Sequence, residues 1–182
     1  MIIEKTELEP VLLMKPKPHR DKRGEFVEVF REHILKEAGI NVSFVQDNIS
    51  RSKKNALRGL HYQLPPSSQV KLVMVTSGSV LDVVVDMRRN SATFKQHYST
   101  ILSDENRHML YVPTGFAHGF SVLSDEATVY YKCNDYYSKD LERGVRWDDP
   151  ELNIDWNISD PVVSEKDSKL PLLKDLDEKN LF

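Results

Sequence analysis

The chain reads as an all-β protein, a sandwich or barrel of antiparallel strands. Short runs rich in Val, Ile, Phe and Tyr recur at even spacing, separated by turn residues. Side chains within the longest runs alternate between two faces. Helical periodicity is scarce.

Taken in order, "EFVEVF" is the first expected strand, entered through the Gly24 turn beside Arg23. "REHILKEAG" follows as a short helix ending at Gly39, the usual residue past a helix end. "VSFVQDNIS" reads as a strand, with Gln46 and Asn48 two apart and hence on one face. The clearest stretch is "VKLVMVTSGSVLDVVVDMR", in which two β-branched runs flank "SGS" and predict a hairpin. Its first run sets Val70, Leu72 and Met74 against Lys71, Val73 and Val75. Its second sets Leu81, Val83 and Val85 against Asp82, Val84 and Asp86. "HYSTIL", "HMLYVP", "FSVLS" and "ATVYYKCND" complete the expected strands. The tail "LPLLKDLDEKNLF" offers one more short helix. Pro161 and Pro171 predict that the segment from about 150 to 182 wraps irregularly around the barrel of a single domain spanning 1–182.

The bulk properties fit that reading. A chain of 182 residues suits one domain with a sizeable core. It is 40% hydrophobic and 29% charged, an ordinary globular balance. A net charge of −3, from 25 basic and 28 acidic residues, argues against a nucleic-acid or membrane partner. It leaves room for a local basic pocket. The lone Cys133 has no disulfide partner and reads as a small apolar residue. "MIIEKTELEP" lacks a signal peptide's apolar core, and no apolar run approaches the roughly 20 residues of a spanning helix. The expectation is a cytoplasmic protein.

Polar and ionisable residues interrupt the strands and adjoining turns: Arg23, Glu28, Gln46, Asn48, Arg58, His61, Lys71, Asp82, His118 and Tyr131. Each alone is compatible with a solvent face. Lys71 would serve as a charge protecting an edge strand. Jointly they would also line a polar interior, where burial costs free energy unless the groups are paired or bind a ligand. The positive bias of such a lining suits a phosphate or diphosphate, whose oxygens match the planar fork of arginine.

"YVPTGFAHGF" carries a Pro-x-Gly-x-x-His arrangement ending at His118. In cupin barrels such a histidine often joins a His-x-His pair and a glutamate around a metal. The corresponding stretch here, "RGLHYQLPPSSQVKL", has His61 alone and no following glutamate. Metal sites of this kind normally need at least three protein ligands, and His19, His33, His97 and His108 show no ligand spacing. The expectation is a site without a metal. His118 is then either a pocket residue or a satisfied core histidine.

Taken together, "DKRGEFVEVF", "FVQDNIS", "LRGLHYQ", "VKLVMVTSGSVLDVVVDMR", "YVPTGFAHGF", "VYYKCNDYYSKDLERGVRWDDPELNIDW" and "SEKD" resemble, in order, the dTDP-4-dehydrorhamnose 3,5-epimerase family of metal-free cupins. The resemblance runs through nearly the whole chain and implies a cupin-type jelly roll. It implies His61 as general base and Tyr131 as general acid, with Asp167 as carboxylate partner of His61 and Lys71 beside the substrate ketone. Asp82 is a second candidate partner for either histidine. Arg23, Phe26, Glu28, Gln46, Asn48, Arg58, His118, Tyr137, Glu142 and Lys166 would line the sugar-nucleotide site, with Phe26 and Tyr137 packing on sugar or base. A homodimer formed by sheet extension is implied as well.

These residue types suit the chemistry. A ketone at C4 of a dTDP-4-keto-6-deoxyhexose acidifies the C–H bonds at C3 and C5. Inverting those carbons takes a base on one face, a positive group at the enolate oxygen and an acid on the other face. An imidazole with a pKa of about 6.5 suits the first task, an ammonium the second, and a phenol, protonated at neutral pH, the third. No cofactor is required, and no Gly-rich dinucleotide fingerprint is present. The implied reaction belongs to dTDP-L-rhamnose biosynthesis, which feeds bacterial surface polysaccharides. The alternatives are a mono-epimerase or 3,4-ketoisomerase on the same barrel, a non-catalytic sugar-nucleotide-binding cupin, and a metal-dependent cupin enzyme.

Overall fold

The computed structural model describes residues 1–182. The first part of the chain holds β1 (Ile2–Lys5), β2 (Leu12–Lys15), β3 (His19–Asp21), β4 (Gly24–Phe26), α1 (Glu32–Glu37), β5 (Gln46–Lys53) and β6 (Ala56–Gln63). Then come β7 (Lys71–Ser77), β8 (Ser79–Asp86), β9 (His97–Ser103), β10 (Met109–Val112), β11 (Phe116–Val122) and β12 (Glu126–Cys133). The last elements are β13 (Glu142–Gly144), β14 (Val162–Val163), α2 (Glu165–Ser168) and two short 3₁₀ turns, Leu173–Asp175 and Glu178–Asn180. One sheet runs β1-β2-β10-β7-β12-β5 and the other β13-β6-β11-β8-β9, with β14 added in parallel to β6. The two sheets stack as an antiparallel sandwich, the all-β jelly-roll arrangement expected from the sequence.

The turn at "SGS" is real, but the strands around it do not form a hairpin. β7 pairs with β10 and β12, whereas β8 pairs with β11 and β9. The chain crosses from one sheet to the other at Gly78, which has a φ of 77°. A Cβ there would lie 2.1 Å from the Glu126 carbonyl oxygen, so only glycine makes the corner. Alternation in both strands is as expected. Both faces are apolar because a sandwich strand with covered outer surfaces is buried on two sides.

Three apolar layers follow from that alternation. The inner layer joins Val73, Val75, Ala127 and Val129 of one sheet to Val80, Val84, Phe116, Phe120 and Val122 of the other. A second layer lies outside the β8 sheet. There Leu81, Val83 and Val85 pack against Val145, Leu152, Trp156 and Leu173. A third lies outside the β7 sheet, where Leu72, Met74 and Met109 meet Leu35 and Ile40 of the α1 segment. Gly39 follows the α1 C-cap, Ala38, as expected of the residue past a helix end, with a φ of 80°.

Two expected strands are shorter. β4 stops at Phe26, and Val29 and Phe30 instead pack on the third layer. "VSFVQDNIS" becomes strand only from Gln46, while Val42 and Phe44 cover the same layer. In both, the β-rich pattern records burial against a sheet rather than pairing within one.

The segment after Pro150 is fastened at several points. Asp149 accepts the amide hydrogens of Leu152 (3.2 Å) and Leu173 (2.6 Å). Ser121 donates to the Trp156 carbonyl at 2.7 Å, and Tyr62 donates to the Asn180 carbonyl at 2.7 Å. Each buried large apolar side chain adds about 1.5–3 kcal/mol. The anchored segment therefore holds α2 firmly against β6. No helix is long and apolar enough to cross a membrane.

Candidate active site

The inner layer turns from apolar to polar along its strands. On β7, Lys71 continues the row of Val75 and Val73. On β12, Tyr131 and Cys133 continue Ala127 and Val129. Asn48 pairs directly with Tyr131, and Gln46 with Cys133. The edge-strand reading of Lys71 does not hold, because β7 lies between β10 and β12. From the facing sheet, His118 and Asp82 continue the row of Phe120 and Val84.

β6 supplies Arg58 and His61 through an irregularity. Strict alternation would send residues three apart to opposite faces. The β6–β11 register pairs Arg58 with Phe120 and His61 with His118, so β6 carries one extra residue there. That bulge returns both side chains to the cavity. It is made by Gly59, with a φ of 119°, packed on Gly119: a Cβ on Gly59 would stand 2.6 Å from the Gly119 Cα.

Two adjoining cavities of about 270 and 290 Å³ share His61, Lys71 and Tyr131. One extends to Gln46, Asn48, Gln63, Gln69, Tyr137 and Glu142. The other extends to Ser50, Arg58, His118, Lys166 and Asp167. His61 and Tyr131 are carried by different sheets, so the rings enter from opposite walls.

Asp167 comes from α2. Ser164 caps that helix, its Oγ accepting the Asp167 amide hydrogen at 3.0 Å. The carboxylate is then free to reach β6. Oδ1 lies 2.8 Å from His61 Nε2, and Oδ2 accepts the Gly59 amide hydrogen at 3.1 Å. Burial pushes the Asp167 carboxyl up, but the His61 and Gly59 bonds outweigh it and hold it below the usual range. An ionised carboxylate only accepts, so His61 Nε2 carries the hydrogen, which in the neutral imidazole leaves the lone pair on Nδ1.

His118 has its own carboxylate. Its Nε2 lies 3.0 Å from both oxygens of Asp82, which is wholly buried. The choice between Asp82 and Asp167 therefore resolves into one for each histidine. No three His, Cys, Asp or Glu side chains converge as a metal site would require.

Burial pulls the Lys71 ammonium below the usual lysine range, opposed by Cys133, Asp82 and Glu142. Burial pushes the Tyr131 phenol up, so it stays protonated. Neither group has a hydrogen-bond partner in the protein, and both open onto the shared cavity. Arg58 spends Nε on Ser52 Oγ at 2.9 Å. At the mouth, Glu142 accepts from Lys166 at 2.5 Å and from Tyr137 at 2.7 Å.

Three expected lining residues lie elsewhere. Arg23 is 90% exposed in its side chain and pairs with Asp21 at 2.6 Å. Phe26 is 71% exposed on the same β3–β4 hairpin. Glu28 pairs with Arg31 at 2.6 Å. All line other depressions that share no residue with the cavity of their own chain, β3 and β4 forming a separate two-stranded sheet. Gln63 and Gln69 line the cavity without having been singled out. Gln63 was within reach of the pattern, standing two residues beyond His61 and hence on its face.

Comparison with known proteins places the chain as a whole. The enzyme "dTDP-4-dehydrorhamnose 3,5-epimerase" from Shigella flexneri is 51% identical over 168 residues, covering 92% of this chain and 93% of its own. The enzyme of that name from Methanothermobacter thermautotrophicus is 46% identical, covering 90% and 89%. A crystal structure of the Legionella pneumophila dTDP-6-deoxy-D-glucose-3,5-epimerase in complex with dTDP-4-keto-L-rhamnose superposes with a TM-score of 0.95 at 45% identity, covering 99% of this chain and 96% of that one. The family model of dTDP-4-dehydrorhamnose 3,5-epimerase matches residues 5–175, and the chain belongs to that family.

Proposed function

We propose that the shared cavity inverts C3 and C5 of dTDP-4-dehydro-6-deoxy-D-glucose, giving dTDP-4-dehydro-L-rhamnose, with His61 as base, Tyr131 as acid and Lys71 at the enolate oxygen. The observation that carries this is the entry of His61 and Tyr131 from opposite sheets into one cavity. His61 Nδ1 takes the proton from carbon, and Asp167 stabilises the imidazolium that results. The electron pair moves onto the C4 oxygen, where the unpartnered Lys71 ammonium stabilises the negative charge. Tyr131 protonates the same carbon from the other side. Solvent then removes the proton from His61 and restores the one lost by Tyr131. Repeating the sequence at the second carbon completes the double inversion. Arg58 and Lys166 are the cations beside this centre and suit the diphosphate.

The displaced residues support a homodimer. The β3–β4 hairpin presents the exposed Phe26 and an Arg23 whose guanidinium is bonded only to Asp21 of the same hairpin. Edge strand β5 exposes Ile49 at 74%. An open edge of this kind accepts another sheet. Pairing two copies would let the hairpin of each reach the cavity of the other.

Turnover in heavy water tests the reaction. Deuterium must appear at both C3 and C5 of the product. Label at one carbon alone would make the chain a mono-epimerase, and a carbonyl moved to C3 a ketoisomerase.

A further inference from the structure

We infer that Gln63 is a positioning residue for the sugar nucleotide, acting through the backbone of the Tyr136–Ser138 loop on the ring of Tyr137. This rests on the sugar-nucleotide reading of the cavity.

Gln63 is 4% exposed, on the inner face of β6 two residues beyond His61. Its carboxamide is spent on backbone. Nε2 donates to the Tyr136 carbonyl at 3.0 Å and also to the Ser67 carbonyl. Oε1 accepts the Ser138 amide hydrogen at 2.8 Å. Gln46 adds the amide between them, its Oε1 accepting the Tyr137 hydrogen at 3.0 Å. The loop is thus pinned at consecutive residues by amides from both sheets.

The other bonds lie at its two ends, where the Ser138 carbonyl accepts the Leu141 and Glu142 amide hydrogens and the Asp135 carbonyl accepts from Gln69. Tyr136 is 67% exposed and Tyr137 53% exposed, so no apolar contact anchors either ring in the core. Yet Tyr137 lines the cavity, and its hydroxyl reaches Glu142. An exposed aromatic on an unpinned loop would sample many positions, and binding would have to select one. Pinning the loop beforehand removes that cost. The Gln63 carboxamide hydrogen-bonds only to backbone and to neither Lys71 nor Tyr131, so its effect belongs to binding rather than to proton transfer.

The test is a double-mutant cycle of Gln63→Leu with Tyr137→Ala, read as KM, kcat and affinity for thymidine diphosphate, with circular dichroism to confirm folding. Gln63→Leu alone should raise KM about tenfold and weaken diphosphate binding to match, with kcat held within about threefold. In the Tyr137→Ala background the same change should add less than about twofold. If the leucine variant does not fold, Gln63→Glu serves in the same cycle, since a carboxylate cannot donate to the two carbonyls. A KM unchanged in a folded variant, an equal loss with Tyr137 absent, or a loss confined to kcat overturns the inference. Failure of the sugar-nucleotide reading shows separately, as wild-type protein that binds no thymidine diphosphate.

Discussion

His61 and His118 face each other across the β6–β11 register, yet each imidazole is bonded to a different carboxylate. Access separates them. The His61 side chain is 25% exposed to the cavity, and that of His118 is 8% exposed. The same imidazole–carboxylate pairing therefore occurs twice, once open to the cavity and once enclosed. His118 and Asp82 sit where the inner layer turns polar, and Asp82 supplies negative charge near Lys71.

Asp167→Asn should lower kcat by about 100- to 10,000-fold, because an amide can present its N–H to His61 and leave the wrong nitrogen with the lone pair. Stability should respond to pH as well. The folded-state pKa of Asp167 is lowered. Its contribution is therefore complete above the unfolded value of about 3.9 and is lost as pH falls through the folded value. Urea melts of wild type and variant should differ most near neutral pH and converge in acid. A constant gap across that range would mean that the carboxylate is not held by His61.

Tyr131→Phe should separate removal of the proton from its return. His61 and Asp167 are untouched, so substrate C–H bonds should still exchange with heavy water, while net inversion falls by about 100- to 10,000-fold. Proton NMR follows both in one sample. Loss of exchange and inversion together would make Tyr131 part of the deprotonation step.

Much of this was legible in the strands. Alternation placed Lys71 with Val73 and Asp82 with Val84, and the structure keeps both pairings. The resemblance supplied His61 and Tyr131, which spacing alone left between core and cavity. The β7–β8 corner differs from the expected hairpin because a glycine turn has the same local signature whether the next strand pairs back or crosses to the facing sheet. What decides is the burial of the outer faces, a long-range property. Asp167 could not be placed by periodicity, since a packed irregular segment carries it. Ser164, three residues before it, is the local signal that was available, a cap on the helix that carries Asp167.

Gly59→Ala should cost about 2–4 kcal/mol and most of the activity. The added Cβ meets the Gly119 Cα at 2.6 Å, backbone that cannot swing aside, and the φ of 119° disfavours any side chain. Relaxing the bulge would also rotate Arg58 or His61 off the cavity face and withdraw an amide hydrogen from Asp167. A thermal melt and an epimerisation assay check both. Wild-type stability with full activity would mean that the bulge is not needed to aim His61.

Neither Arg23 nor Phe26 reaches the cavity of its own chain, so the dimer reading makes a complementation prediction. His61→Ala has an intact hairpin and a dead cavity. The Arg23→Ala, Phe26→Ala variant has an intact cavity and a hairpin that cannot complete another. Each should be nearly inactive as a homodimer. In a mixed dimer one cavity has its base and receives an intact hairpin. With free subunit exchange, half the dimers are mixed and half their sites work, so activity should recover to about one quarter of wild type. Mass spectrometry of differently tagged chains confirms the exchange. Mixed dimers with no recovered turnover, or a monomer by light scattering at assay concentration, would mean that the hairpin does not complete a partner's site.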